Sequence, residues 1–246
     1  MRPISLTDTL GGMSILAENH SSTPDPQPTR GRMPAWGSVL AVVAHPDDES
    51  FGLGAILDVF ARQGATVSVL CLTKGEASTL GNHADLSQVR AVELRNAAKQ
   101  LGINSAVLLG YRDGLLSEVE ERIVTSEVLR EVRERPVDGL VVFDPSGITG
   151  HPDHTAATRA ALAAADQLDL SVLGWTLPQE VARTLNEEFH ANFVGHPGDE
   201  VDVVIEVDRE KQRSASLCHQ SQATPGSVLW RRLELLGGHE YLRWLR

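Results

Sequence analysis

From position 38 the chain alternates two patterns: short runs of aliphatic and β-branched residues, and longer stretches with apolar residues every three or four positions. The short runs are 39–43, 67–72, 106–109 and 139–143, with weaker ones at 172–175 and 203–207. Between them, 53–62, 87–101, 118–135, 155–167 and 208–220 carry the helical spacing, and Gly64, Gly102 and Pro136 stop the first three as helix-ending residues do. Strand and helix in strict alternation predict βα units feeding a mostly parallel sheet with helices on its faces, the α/β class. Residues 1–36 follow neither period, and Pro24, Pro26, Pro28 and Pro34 stand among Ser, Thr, Gly and Arg. This composition predicts a flexible leader over 1–36 and one folded domain over 37–246.

The run 39–43 is continuous rather than alternating, which suits a strand covered on both faces and so central in the sheet. Its carboxyl end delivers His45. The run 139–143 has the same character and delivers Asp144, then the loop 145–150 and His151, with Pro152 placed to open a helix capped near His151. In open α/β sheets, ligands bind beyond the carboxyl ends of strands at a topological switch point, which gives these two loops a physical reason to meet.

They carry the chemistry of the chain. The segment AHPDDE (44–49) holds His45, Asp47, Asp48 and Glu49, and GHPDH (150–154) holds His151, Asp153 and His154. A zinc site with an open position takes three protein ligands. His45, Asp48 and His154 satisfy that count and leave Asp47, His151 and Asp153 for proton transfer. Each segment also has a plainer reading, since acidic residues after a strand cap helices and a loop histidine is usually just hydrogen-bonded. Both segments at the exits of two buried strands favour the metal. Glu49 reads as support for a ligand or for loop amides.

Composition narrows the partner. The 246 residues hold 33 acidic side chains against 22 Lys and Arg, a formal charge of −11, without the basic stripe that nucleic acid or an anionic membrane requires. No run reaches membrane-span length, and the amino-terminal residues lack the apolar core of a secretory signal, so a cytoplasmic small-molecule enzyme is expected. Homo-oligomerisation is left open. Cys71, in an apolar run, and Cys218, in an expected helix, read as packing residues.

The pair AHPDDE and GHPDH is accompanied by TKGE (73–76), RAVEL (90–94), YRDG (111–114) and HQSQ (219–222). With these blocks, the chain from about Leu40 to Gln222 resembles the PIG-L/LmbE-like N-acetylglucosaminyl deacetylases. The resemblance implies a Rossmann-like fold, Zn2+ on His45, Asp48 and His154, and hydrolysis of the acetamide of an amino-sugar conjugate. Whether the metal in the cell is zinc or iron stays open. The resemblance also implies that Asp47 is the general base, and that a protonated His151, oriented by Asp153, stabilises the oxyanion and assists the amine's departure. Arg90 and Asp113 match positions that contact the sugar or its aglycone. His219 closes the pocket or simply packs. Some relatives carry Tyr where this chain has Thr149, and the loop 195–200 is expected to shape the acceptor end of the pocket. The alternatives are an amidase on the same scaffold for another acyl or thiol-conjugate amide, and a noncatalytic metal- or sugar-binding module. A nucleotide-binding Rossmann protein is disfavoured, because the first turn is acidic and lacks the glycine pattern.

Overall fold

The computed structural model describes residues 31–80 and 85–246. In chain order the elements are β1 (Ser38–Val43), α1 (Asp48–Phe51), α2 (Gly54–Arg62), β2 (Thr66–Thr73), α3 (Leu86–Leu101), β3 (Ser105–Tyr111), α4 (Glu121–Glu134), β4 (Gly139–Phe143), α5 (Gly147–Gly150), α6 (Pro152–Leu168), β5 (Ser171–Thr176), α7 (Gln179–Phe189), β6 (Val203–Glu206), α8 (Glu210–Ser216), α9 (Val228–Leu236) and β7 (His239–Trp244). The strands form one seven-stranded sheet in the order β3-β2-β1-β4-β5-β7-β6. The pairs from β3 through β5 are parallel, and β7 runs antiparallel to both β5 and β6.

Strand β1 is central, as its uninterrupted apolar run predicts. Val39, Ala41 and Val43 face a layer that includes α2 and α7, with Ile56, Phe60 and Leu185 buried there. Leu40 and Val42 face α4 and α6. On α6 the buried face is almost all alanine, at 157, 160, 161, 164 and 165. Such small side chains let a helix backbone lie close to the sheet. The chain leaves β1 toward β2 and β3 on one side and resumes on the other side with β4 and β5. The gap between β1 and β4 is therefore the switch point, and the loops after both strands open onto it.

Three features differ from the sequence reading. Of the expected leader, residues 1–30 lie outside the described residues, but 31–36 lie against the domain. There Met33 and Trp36 pack on the core, and the Trp36 ring stacks on Phe60 with centroids 5.6 Å apart. A side chain at Gly139 would collide with that ring, so the glycine on β4 makes room for it. The proline-rich composition hid this anchor, because one large aromatic outweighs a local lack of periodicity. Trp36→Ala is expected to lower stability by about 2 kcal/mol, the scale for losing a partly buried aromatic, measured by chemical denaturation. A mobile leader reaching position 36 would show no change.

Second, α7, α9 and β7 have no counterpart in the predicted elements. Strand β7 reads HEYLRW, with two charged positions, because Glu240 and Arg243 find buried or half-buried partners that only the fold supplies. Third, the helix expected over 208–220 is shorter. It ends at Ser216, which leaves Cys218 and His219 in the turns that follow. No described helix is long and apolar enough to cross a membrane.

Candidate active site

The turn after β1 makes the first half of the site. Asp48 turns back on its own loop, with Oδ2 accepting from the backbone N–H groups of Ala44 (3.1 Å) and His45 (2.9 Å). That leaves Oδ1 free, 3.2 Å from His154 Nε2. To make this turn, Asp47 takes φ 119°, a left-handed conformation uncommon for any residue with a side chain. Such strain is held where the surroundings over-determine it. Here Glu49 accepts the Asp47 N–H at 2.9 Å and Arg90 grips the Asp47 carboxylate at 2.8 Å.

The second half follows β4. Ser146 accepts from the Ile148 N–H, and Gly147, Ile148 and Gly150 all have positive φ. As the sequence predicts, His151 caps α6 with Pro152 at its first turn, and its Nδ1 accepts from the Asp153 N–H at 3.2 Å. His154, one turn on, donates from Nδ1 to the Gly147 carbonyl (3.1 Å), which turns Nε2 toward the β1 loop. A side chain at Gly147 would strike Thr155.

The halves converge on three atoms. His45 Nδ1 lies 3.1 Å from His154 Nε2 and 3.5 Å from Asp48 Oδ2. His45, Asp48 and His154 offer donor atoms that all lie within 4.8 Å of one another. The set fits a borderline-soft divalent ion: two imidazole nitrogens and one carboxylate, with His154 and Asp48 each oriented by further hydrogen bonds and His45 facing two carboxylates. His45 Nε2, on the far side of the ring, sits 3.0 Å from Asp113 Oδ1 and 3.4 Å from Asp153 Oδ2. Burial opposes ionisation of Asp48, yet His154 and His45 hold its carboxyl well below the usual range. Burial pushes Asp47 up to about 6, with Arg90 working against the rise and Asp48 adding to it.

Asp47 and His151 flank the donor set and line the same cavity of about 540 Å³, which also takes in Arg90, Asp113 and Thr149. The His151 ring stacks on that of His154 at 4.6 Å.

Several residues stand where the sequence reading did not put them. The Asp153 carboxylate does not touch His151. It accepts from the N–H groups of Gly114 (2.8 Å) and Leu116 (3.0 Å) and faces His45, because the helix start turns it back under the first loop. Burial and the neighbouring His154 and His45 lower the His151 pKa, with Asp153 and Asp48 working against the fall. Asp113 reaches the cavity but points at His45 and accepts the Ala77 N–H at 2.8 Å. Arg90 is buried rather than solvated. Besides Asp47 it donates to the carbonyls of Gly75 (2.7 Å) and Pro46.

Glu49 supports the site as expected. It is fully buried and holds His219 Nε2 at 2.7 Å, so His219 packs under the first loop without lining the cavity. The loop 195–200 does not reach the cavity either, since His196 is drawn away to Asp144 (3.0 Å) and Glu200 (2.9 Å). Phe193 lines the wall instead. Sequence reasoning also missed Ser78, Phe143, Trp175 and Arg232 in the lining, and none of these carries a motif or spacing that would have flagged it. Gln222, in the segment HQSQ, also lines the cavity and accepts from Ser78 Oγ at 2.7 Å.

A mostly parallel α/β sheet whose switch point gathers two imidazoles and a carboxylate, beside a further carboxylate in a cavity, defines a Rossmann-like protein built around a candidate metal site. The chain belongs to the PIG-L family, GlcNAc-PI de-N-acetylase, whose model matches residues 40–165, just over half of its length. It is 34% identical over 174 residues to a 1D-myo-inositol 2-acetamido-2-deoxy-alpha-D-glucopyranoside deacetylase of Streptomyces griseus, an alignment covering 59% of this chain and 53% of that protein. It is 32% identical over 132 residues to a probable N-acetyl-alpha-D-glucosaminyl L-malate deacetylase of Bacillus subtilis, covering 51% of this chain and 59% of that protein. The chain thus spans about half the length of the curated relatives it matches. Among solved structures, an N,N'-diacetylchitobiose deacetylase from Pyrococcus horikoshii superposes with a TM-score of 0.64 at 20% identity, covering 85% of this chain and 84% of that one. That likeness is one of fold.

Proposed function

We propose that the chain hydrolyses the acetamide of an N-acetylglucosamine-type conjugate, releasing acetate and a free amine. The observation that carries this reading is the convergence of His45 Nδ1, Asp48 Oδ1 and His154 Nε2 beside a carboxylate, Asp47, that is not needed to complete the donor set. The names of the relatives, deacetylases of inositol-linked and malate-linked glucosamine, support the same chemistry. A teicoplanin deacetylase of similar fold is described in a zinc-inhibited form; the reason to test zinc first is the imidazole and carboxylate donor set of this chain. A divalent ion held by these residues would supply Lewis acidity to the amide oxygen and to the attacking water.

The remaining steps belong to the chain's own side chains. Asp47 takes the proton of the attacking water and passes it to the departing amine nitrogen, with Arg90 holding its carboxylate and Glu49 holding its backbone N–H. The His151 Nδ1 atom accepts from the Asp153 N–H, so the neutral ring carries its proton on Nε2 and can donate it toward the oxyanion. Asp113 and Asp153 hold His45 from its far side and fix which nitrogen faces the donor set.

Arg90→Lys is expected to lower kcat about 10- to 100-fold with a smaller change in KM, since a point charge cannot hold Asp47 and two carbonyls at once. An equal loss spread into KM would instead make Arg90 a substrate contact. The proposal itself is tested by a free-amine assay on zinc-reconstituted protein. The panel would hold N-acetylglucosamine conjugates with inositol, malate and chitobiose partners, and glucosamine amides of longer acyl chains. Release of amine from the acetyl compounds is expected. No turnover on any member, with zinc bound, would leave a binding module.

A further inference from the structure

Arg232, on α9, is a buried guanidinium that pairs with no carboxylate among the described residues. It is 8% exposed and lines the same cavity as His45 and Asp47. Nη2 donates to the Phe51 carbonyl, Cζ lies 5.0 Å from the centre of the Trp175 ring, and Nε has no hydrogen-bond partner among the described residues. The buried carboxylate with most influence on it, Glu240, is taken twice: by Arg209 at 2.5 Å and by the Trp175 indole at 2.8 Å. Arg90, the other guanidinium of the cavity, is spent on Asp47 and backbone carbonyls. Burial lowers the Arg232 pKa to about 10, so the side chain remains charged at neutral pH.

Burying an unpaired charge this deep is costly, and an ion pair formed by a ligand would recover part of that cost. The cavity wall beside it is aromatic, with Phe143, Trp175 and Phe193, and a low local dielectric strengthens such a pair. A row of ring contacts, His154 to Phe143 at 4.9 Å and Phe143 to Trp175 at 5.1 Å, runs from the donor set to the ring on which Arg232 rests. The cavity thus holds, along one aromatic wall, the acidic donor-set loop and a guanidinium that pairs with none of that loop's carboxylates. One available guanidinium, without a second free cation beside it among the lining residues, matches a monoanion better than a phosphate dianion.

We propose that Arg232 is a specificity-determining residue that binds a carboxylate carried by the substrate, so that the substrate is an acidic amino-sugar conjugate. The inference rests on the amide-hydrolysis reading above for the position of the sugar.

The test uses zinc-loaded protein and a matched pair of substrates: the N-acetylglucosaminide of glycolic acid and that of glycolamide. N-acetylglucosamine 1-phosphate forms a third arm. The acid is expected to be preferred over the amide by about 10- to 100-fold in kcat/KM, the scale of one charge-assisted hydrogen-bonding group. In Arg232→Met that ratio should fall to near one, and Arg232→Lys should retain part of it. A wild-type ratio near one, or an Arg232→Met variant that loses rate on both substrates with the ratio intact, overturns the inference. Preference for the 1-phosphate over the acid overturns the carboxylate assignment. If neither glycoside is cleaved, the hydrolysis reading fails separately. Equilibrium binding of the same pair to zinc-loaded wild type and Arg232→Lys then decides the role of Arg232: selective binding of the acid, weakened in the variant, upholds it, and equal binding of acid and amide overturns it.

Discussion

Asp47→Asn is expected to lower kcat by about two to four orders of magnitude, the usual scale for removing a general base, while metal content is unchanged. The reason is geometric. Asp47 is outside the set of three converging donor atoms, and its carboxylate is turned to Arg90. Asparagine keeps the carbonyl oxygen that Arg90 grips, and it tolerates the positive φ at this position better than most residues. Fold and metal site should therefore survive, with proton acceptance alone removed. Kinetics would be paired with elemental analysis and a melting curve. A variant with near wild-type kcat would make Asp47 a structural cap and move the base elsewhere, whereas loss of metal would make Asp47 a ligand.

His154→Ala is expected to abolish both activity and metal retention. The His154 Nε2 atom faces His45 Nδ1 and Asp48 Oδ1, and the ring also stacks on His151 and meets Phe143 edge-on. Removing it leaves one imidazole and one carboxylate, short of the three protein ligands an open zinc site needs. Linkage gives a readout independent of turnover. Ligand at 100 times its Kd stabilises the native state by about 2.7 kcal/mol, so added zinc should raise the melting temperature of the wild type and leave that of the variant unmoved. Retention of one ion per chain after dialysis would show that the donor set is held by other residues, with the neighbouring His45, Asp113 and Asp153 group as the first to examine.

Much of this site was legible because its residues sit within a few positions of two strand ends. Strand β1 is buried on both faces, and a continuous apolar run records that directly. His151 and His154 share one helix face because they are one turn apart, and Pro152 marks where that helix begins. Local spacing carried no information on what lies behind each side chain. Asp153 was expected against His151, two residues away in the chain, yet its carboxylate turns to Gly114 and Leu116 on another loop. Arg90 looked like one charge on an amphipathic helix. Only the packing of α3 against the β1 loop shows that it is buried and holds Asp47.

The sequence by itself determined the α/β alternation, the central strand and the six candidate metal and proton-transfer residues of the two loops. These follow from periodicity and from ligand types that cluster along the chain. Tertiary structure alone decided where the carboxylates of Asp153 and Asp113 point, that Trp36 packs on the folded domain, that β7 joins the sheet antiparallel, and that Arg232 enters the cavity without a paired carboxylate among the described residues. Each of those depends on the proximity of residues far apart in the chain, and a lone charge or aromatic carries no periodic signal until a partner, or the lack of one, surrounds it.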